Sequence, residues 1–191
     1  MSTGLIWFRN DLRTQDHEGI ATATSNHDRV IAVYCFDPRH YEELDIGFRK
    51  TGKFRTRFLI ETIHQLRNNL RKLHIPMLVF QNKPEVKIAE LTKEHQIDTI
   101  YFQKEWTDEE KKVERNLKEA IPDVKFKDHY QQFLFHPDDI PYDSFNSIPK
   151  VFTEFRKKCE KRTEVRKLLS NSKIEAFEFD NDTKIPSLQD L

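Results

Sequence analysis

Short apolar runs alternate along this chain with longer amphipathic stretches. Residues 5–8, 30–36, 77–80 and 99–102 are almost wholly apolar, and 30–36 (Val-Ile-Ala-Val-Tyr-Cys-Phe) is the clearest of them. A run of that length without polar alternation predicts a strand covered on both faces. A shorter fifth strand is expected over 124–126. Between the strands the period changes. Leu59, Ile63, Leu66, Leu70 and Leu73 recur at steps of three and four, which predicts one buried stripe on a helix over 53–73. Helices are also expected over 16–26, with Asp16 as N-cap, and over 84–95, with Pro84 in the first turn. Another should run to Ala120 from the capping-box pattern Thr107-Asp108-Glu109-Glu110.

Strand and helix therefore alternate with short connections. The pattern predicts an α/β fold: a Rossmann-like, doubly wound, five-stranded parallel sheet with helices on both faces. The alternation stops after Phe126. Residues 129–149 are rich in proline, aspartate and aromatics and read as an ordered loop. Pro149 then opens a stretch with Val151, Phe152 and Phe155 on one side and Lys157, Lys158, Lys161 and Arg162 on the other. The expected division is a domain over 1–170 and a polar, linker-like tail over 171–191.

Composition narrows the classes. Lys+Arg and Asp+Glu both number 32, so the overall balance does not point to a chain that grips nucleic acid by itself. Cys35 and Cys159 lack any metal-ligand spacing and read as reduced thiols, which suggests a cytoplasmic setting. No apolar run reaches the roughly 20 residues of a membrane span, and the N-terminus does not read as a signal peptide. Glycine occurs only at positions 4, 19, 47 and 52. Neither GxGxxG nor GxxxxGK[ST] exists, so dinucleotide-binding and P-loop readings fail at the backbone level. No HExxH, Cys/His cluster or GxSxG is present. The eight histidines are scattered and read as surface or loop residues.

What remains is chemistry at the strand ends, where doubly wound sheets bind ligands. Arg9, Asp11 and Arg13 follow the first strand. Asp37 and Arg39 follow the second. Gln103, Lys104 and Glu105 follow the fourth, with Phe36, Tyr41 and Trp106 as flat apolar surface nearby. Rings for stacking and a carboxylate to accept from ring N–H groups suit a small planar ligand. The competing reading is that Arg9, Asp11 and Arg39 pair with one another and pin the loops. Glu105, at a strand end just before a capped helix, is the stronger ligand candidate.

The segment Trp7-Phe8-Arg9-Asn10-Asp11-Leu12-Arg13, with Asp16 three residues on, resembles the W-F-R-x-D-L-R-x-x-D opening of photolyases and cryptochromes. Lys50-Thr51-Gly52-Lys53-Phe54-Arg55 leading into Phe58-Leu59-Ile60-Glu61 resembles the K-T-G-x-F-R-x-x-F-L-x-E element of the DASH cryptochromes. Cys35-Phe36-Asp37-Pro38-Arg39, Lys104-Glu105 before Thr107-Asp108-Glu109-Glu110, and Phe152-Thr153-Glu154-Phe155-Arg156-Lys157 extend the likeness, in order, to about residue 160. At position 17 the family usually has asparagine; here it is His17.

The resemblance implies an antenna domain that holds a light-harvesting chromophore, most often methenyltetrahydrofolate. It passes excitation to a flavin (FAD) in a C-terminal helical domain, for repair of pyrimidine dimers flipped out of DNA or for blue-light signalling. Glu105 is then the contact to the pterin ring, with Phe36, Asp37, Arg39, Gln103 and Lys104 as neighbours of the pocket. FAD and most of the DNA contact belong to the helical half, so the expected partner is that domain, DNA is reached only through the whole protein, and this chain alone is expected to lack lyase activity. The alternative is a stand-alone ligand-binding or interaction module on the same fold.

Overall fold

The apolar runs become strands β1 (Thr3–Trp7), β2 (Arg29–Cys35), β3 (Met77–Phe80), β4 (Thr99–Gln103) and β5 (Lys125–His129) of one sheet. The structure, a computed structural model, describes residues 2–191. Every strand pairing is parallel and the order is β3-β2-β1-β4-β5. The crossovers are helices α1 (Glu18–Asn26), α2 (Lys53–Arg71), α3 (Pro84–Glu94) and α4 (Asp108–Ala120).

Side-chain parity divides the sheet's two faces. Ile6, Phe8, Val30, Ala32, Tyr34, Met77, Val79 and Tyr101 point to one side, where Ile20 and Ala23 of α1 and Ile63, Leu66 and Leu70 of α2 close over them. Leu5, Trp7, Ile31, Val33, Cys35, Leu78, Ile100 and Phe102 point to the other, under Ile88 and Leu91 of α3 and Leu117 of α4. The expected helical stripe is thus the α2 contact, and its opposite face leaves Phe54 and Phe58 exposed. Burial pushes the Cys35 thiol well above its ordinary range, so it stays a neutral, inert side chain.

The two edge strands are protected differently. β5 carries Lys125, Lys127 and Asp128 on exposed positions. β3 is short, and the segment after Leu169 runs along it. Asn181 Nδ2 donates to the Met77 carbonyl at 2.8 Å, and the Val79 amide donates to Thr183 Oγ1 at 3.1 Å. The Arg67 guanidinium donates to the Thr183 hydroxyl and carbonyl oxygens. Ile174 is buried in the α1/α2 layer, and the Leu73 carbonyl accepts from its amide. The stretch read as a linker-like tail therefore has no regular secondary structure, yet it forms one compact unit with the residues up to His129.

A second unit comprises Tyr130–Leu168. It holds helix α5 (Phe152–Arg162) and two short 3-10 turns. Tyr142 stacks on Phe155 with ring centroids 5.8 Å apart, Lys158 lies over the Tyr142 ring, and Cys159 is buried beneath. Among the described residues no helix is long and apolar enough to cross a membrane.

The stripe on α2 carries a direct test. Leu70→Ala should lower unfolding free energy by about 2–5 kcal/mol in urea titrations, whereas Phe54→Ala should change it by less than about 0.5 kcal/mol. Equal effects would mean that the helix packs through its other face.

Candidate functional site

The strand order reverses between β1 and β4, so the loops leaving these two strands diverge and open a crevice at their carboxyl ends. Asn10 leaves β1 and Glu105 leaves β4, and they meet across that crevice: Asn10 Nδ2 donates to Glu105 Oε1 at 2.9 Å. Gln103 Nε2 donates to the same oxygen at 3.1 Å. Glu105 is only 9% exposed. Both of these partners are neutral amides, so they satisfy one carboxylate oxygen without cancelling the charge.

The other sequence-expected residues fall into separate arrangements. Asp37 caps the turn after β2 by accepting from the Arg39 amide, and it also pairs with the Arg39 guanidinium. Arg39 reaches Glu85 in the first turn of α3 as well, at 2.9 Å. Burial would raise the Asp37 carboxyl, but the Arg39 contacts outweigh it and hold it below the usual aspartate range. Lys104 pairs with Asp128 at 3.2 Å on the partly exposed β4/β5 edge. Phe36 is fully buried in the core against Tyr34 and Tyr41 and offers no face to a ligand. Lys50, ahead of α2, pairs with Glu109 at the start of α4. Glu109 is held below its ordinary value chiefly by Lys50, with His40 and Arg39 adding to the effect. Charges from the β2, α2 and α4 ends thus gather on one rim of the sheet.

The loop-pinning reading needs correction in its partners. The side chains of Arg9, Asp11 and Arg39 form no ion pairs with one another. Arg9 pairs with Glu114 of α4, both nearly buried, and its guanidinium lies over the Trp7 ring. Asp11 Oδ1 accepts from the Arg9 amide at 3.0 Å, while Oδ2 faces two imidazoles, His17 Nε2 at 2.9 Å and His129 Nε2 at 3.4 Å. Burial would push the Asp11 carboxyl up; the His129 and His17 contacts outweigh it and hold the group well below the usual range.

The N-cap of α1 also differs. His17, not Asp16, caps the helix, with Nδ1 accepting from the Ile20 amide at 3.1 Å. Asp16 has a positive φ of 48°, and its carboxylate accepts from the Leu169 amide instead. Two histidines read as surface or loop residues are therefore interior groups. They lie 112 positions apart, and no local pattern in the chain joins them. One cavity of about 330 Å³ lies between Leu12–Gln15 and α2, lined by Arg13, Phe58 and Gln65. Another of about 410 Å³ lies at the amino ends of β1 and β2, near His95 and Phe179. Neither is lined by Glu105.

A doubly wound sheet with a buried carboxylate at its switch point defines the class of domain. The family model described as "DNA photolyase" matches residues 4–176, and the chain belongs to that family. Within it, the chain is 40% identical to a cryptochrome DASH of Gloeobacter violaceus over 99% of its length and 38% of the relative's. It is 36% identical to the blue-light photoreceptor PHR2 of Arabidopsis thaliana, covering 98% of this chain and 43% of that protein. The crystal structure of a Synechocystis cryptochrome superimposes with a TM-score of 0.89 at 34% identity, over 99% of this chain and 40% of that one. The chain thus spans about two-fifths of the length of these relatives.

The Asp37–Arg39 pair has a pH signature. A carboxyl depressed in the folded state adds stability above its unfolded pKa, near 3.9, and loses it as pH falls through the lower folded value. The stability difference between wild type and Asp37→Asn should therefore be full at pH 7 and shrink steadily below about pH 4. Urea midpoints at stepped pH read it, and a constant difference would show that the pair is not formed.

Proposed function

We propose that this chain is the antenna-chromophore domain of a cryptochrome DASH-like flavoprotein, with Glu105 as the carboxylate that reads the chromophore ring. One observation carries the reading. Glu105 is nearly buried at the switch point, and its partners Asn10 and Gln103 are neutral amides that leave its charge in place. A buried carboxylate without a cationic partner suits a ligand that brings its own N–H donors.

Methenyltetrahydrofolate fits this donor demand, because its pterin presents an amino group and ring nitrogens on one edge. Both amides donate to Oε1, which leaves Oε2 to accept from that edge. Asn10 and Gln103 orient the carboxylate. Asp37 and Arg39 are tied up with each other and Glu85, so they shape the rim and bind the ligand little. Lys104 contributes charge from the β5 side. Phe36, being core, supports the loop from below. When bound, the antenna supplies absorption of near-ultraviolet or blue light. The partner that the family resemblance implies is a flavin-binding helical domain, with DNA repair or signalling a property of the whole protein. A stand-alone binding module would use the same site, but the extended identity to a cryptochrome DASH favours the antenna role.

The test is an absorption titration of the purified chain with methenyltetrahydrofolate. The wild type should bind with a shifted near-ultraviolet band, and Glu105→Gln should weaken binding about tenfold or more, as expected for loss of a charge-assisted hydrogen bond. No binding by the folded wild type, or equal binding by the variant, overturns the reading.

A further inference from the structure

Asp11 follows Asn10 directly, and its carboxylate has no part yet in the antenna site. Its side chain and those of His17 and His129 are at most 3% exposed. Three N–H groups converge on it. The Arg9 amide donates to Oδ1 at 3.0 Å. His17 Nδ1 accepts from the Ile20 amide, so the neutral ring carries its proton on Nε2, 2.9 Å from Oδ2. His129 Nε2 lies 3.4 Å from the same oxygen; a carboxylate can only accept, so a proton on that nitrogen suits the contact. Burial would raise the Asp11 carboxyl, but the His129 and His17 contacts hold it well below the usual range, so both oxygens are acceptors.

These contacts join the elements that build the antenna site. Asp11 lies in the loop after β1, His17 caps α1, and His129 ends β5. His129 is the register partner of Gln103, and its carbonyl accepts from the Lys104 amide at 2.9 Å. Within the β1 loop, the Asp11 carbonyl accepts from the Arg13 amide at 2.7 Å. Asn10 thus sits between two residues joined by the Asp11 side chain, and Gln103 sits beside the strand end that His129 holds. Asn10 and Gln103 are the two donors to Glu105. Gly19 makes room for both rings: a Cβ there would stand 2.9 Å from His129 Cε1 and 3.0 Å from His17 Cε1. Resting on Glu105 as the chromophore contact, we propose that Asp11 is the positioning residue of the antenna site. It clamps the β1 loop to the ends of β4 and β5 and so fixes the Asn10 amide against Glu105.

Asparagine at position 11 is the discriminating exchange. It keeps the volume of Asp11 but has one acceptor oxygen, and its NH₂ group can only donate. Either the Arg9 amide or the imidazole N–H groups would then face another donor in a buried site, which costs each the partner it has now. The clamp opens, while the apolar layers on the two faces of the sheet are untouched.

The first measurement needs no ligand. In heteronuclear NMR spectra the Asn10 side-chain amide signals, identified by their loss in Asn10→Ala, should shift in Asp11→Asn as they do in Glu105→Gln. His129→Phe keeps a ring and removes the N–H, and it should shift them too; it serves if circular dichroism shows Asp11→Asn unfolded. The second measurement is the absorption titration with methenyltetrahydrofolate. Asp11→Asn and Asn10→Ala should each weaken binding about tenfold. The double variant should bind little worse than either, because Asp11 acts through Asn10. A residue that merely supported the fold would give independent losses, about a hundredfold together. Unmoved Asn10 signals in a folded variant, or losses that multiply, overturn the proposal. Shifted signals in a chain that binds no folate would overturn the antenna role and leave Asp11 as the clamp of the Asn10–Glu105 contact.

Discussion

The structure depends on one constraint: a parallel sheet buried on both faces leaves polar side chains little room except beyond the strand ends. From Leu5 to Phe8 and from Val30 to Phe36 every side chain is buried, shared out by parity between the α1/α2 layer and the α3/α4 layer. Chemistry is thereby confined to the loops after the strands. The placing of β4 beside β1 separates two of those loops and brings Asn10 to Glu105. The crevice is a consequence of strand order, and the residues in it are those that a buried environment forces to find partners.

The way each carboxylate is partnered decides what it can do. Glu114 is neutralised by Arg9, and Asp37 and Glu85 share Arg39. Removing one member of the buried Arg9–Glu114 pair leaves the other uncompensated, and Arg39, though partly exposed, is shared by two carboxylates, so these groups are committed to structure. Glu105 and Asp11 are held differently, the first by amides and the second by imidazoles and a backbone N–H. Of the five, only Glu105 faces neither a guanidinium nor an imidazole. The exposed Lys50–Glu109 pair on the rim is a solvated contact and contributes little by itself.

Much of this was legible in the sequence, and the failures have physical causes. Unbroken apolar runs and the α2 stripe define the sheet and its cover, because burial on both faces leaves no ambiguity of period. Glu105 is legible as a candidate because strand end and helix cap flank it within a few residues. Phe36 was expected beside the ligand, but composition cannot say to which side of a strand end an aromatic turns; parity places it with Tyr34 in the core. Asp16 has the chemistry of an N-cap, yet its positive φ turns it toward Leu169 and hands the cap to His17. Glu114, the partner of Arg9, and His129, one of the two imidazoles at Asp11, lie about a hundred positions away, where only the fold joins them. The segment after Leu169 has no period to read, because it binds β3 through single side chains such as Asn181 and Thr183.

The departure at position 17 gains its meaning from this geometry. A helix N-cap needs one acceptor aimed at a first-turn amide, and asparagine and histidine can both supply it. For the helix the exchange is nearly silent: His17 Nδ1 takes the Ile20 amide as an asparagine oxygen would. Asparagine has one acceptor oxygen, and its other terminal atom is an amide nitrogen that can only donate. Histidine has a second ring nitrogen on the far side; with Nδ1 taken by the Ile20 amide, neutral His17 carries its proton there and presents it to Asp11, beside His129. Gly19 leaves space for both rings. The substitution therefore preserves α1 while placing a ring N–H, in place of an amide group, against Asp11 in the loop that also carries Asn10. The neighbour of the candidate antenna site is altered without a change in the fold that builds it.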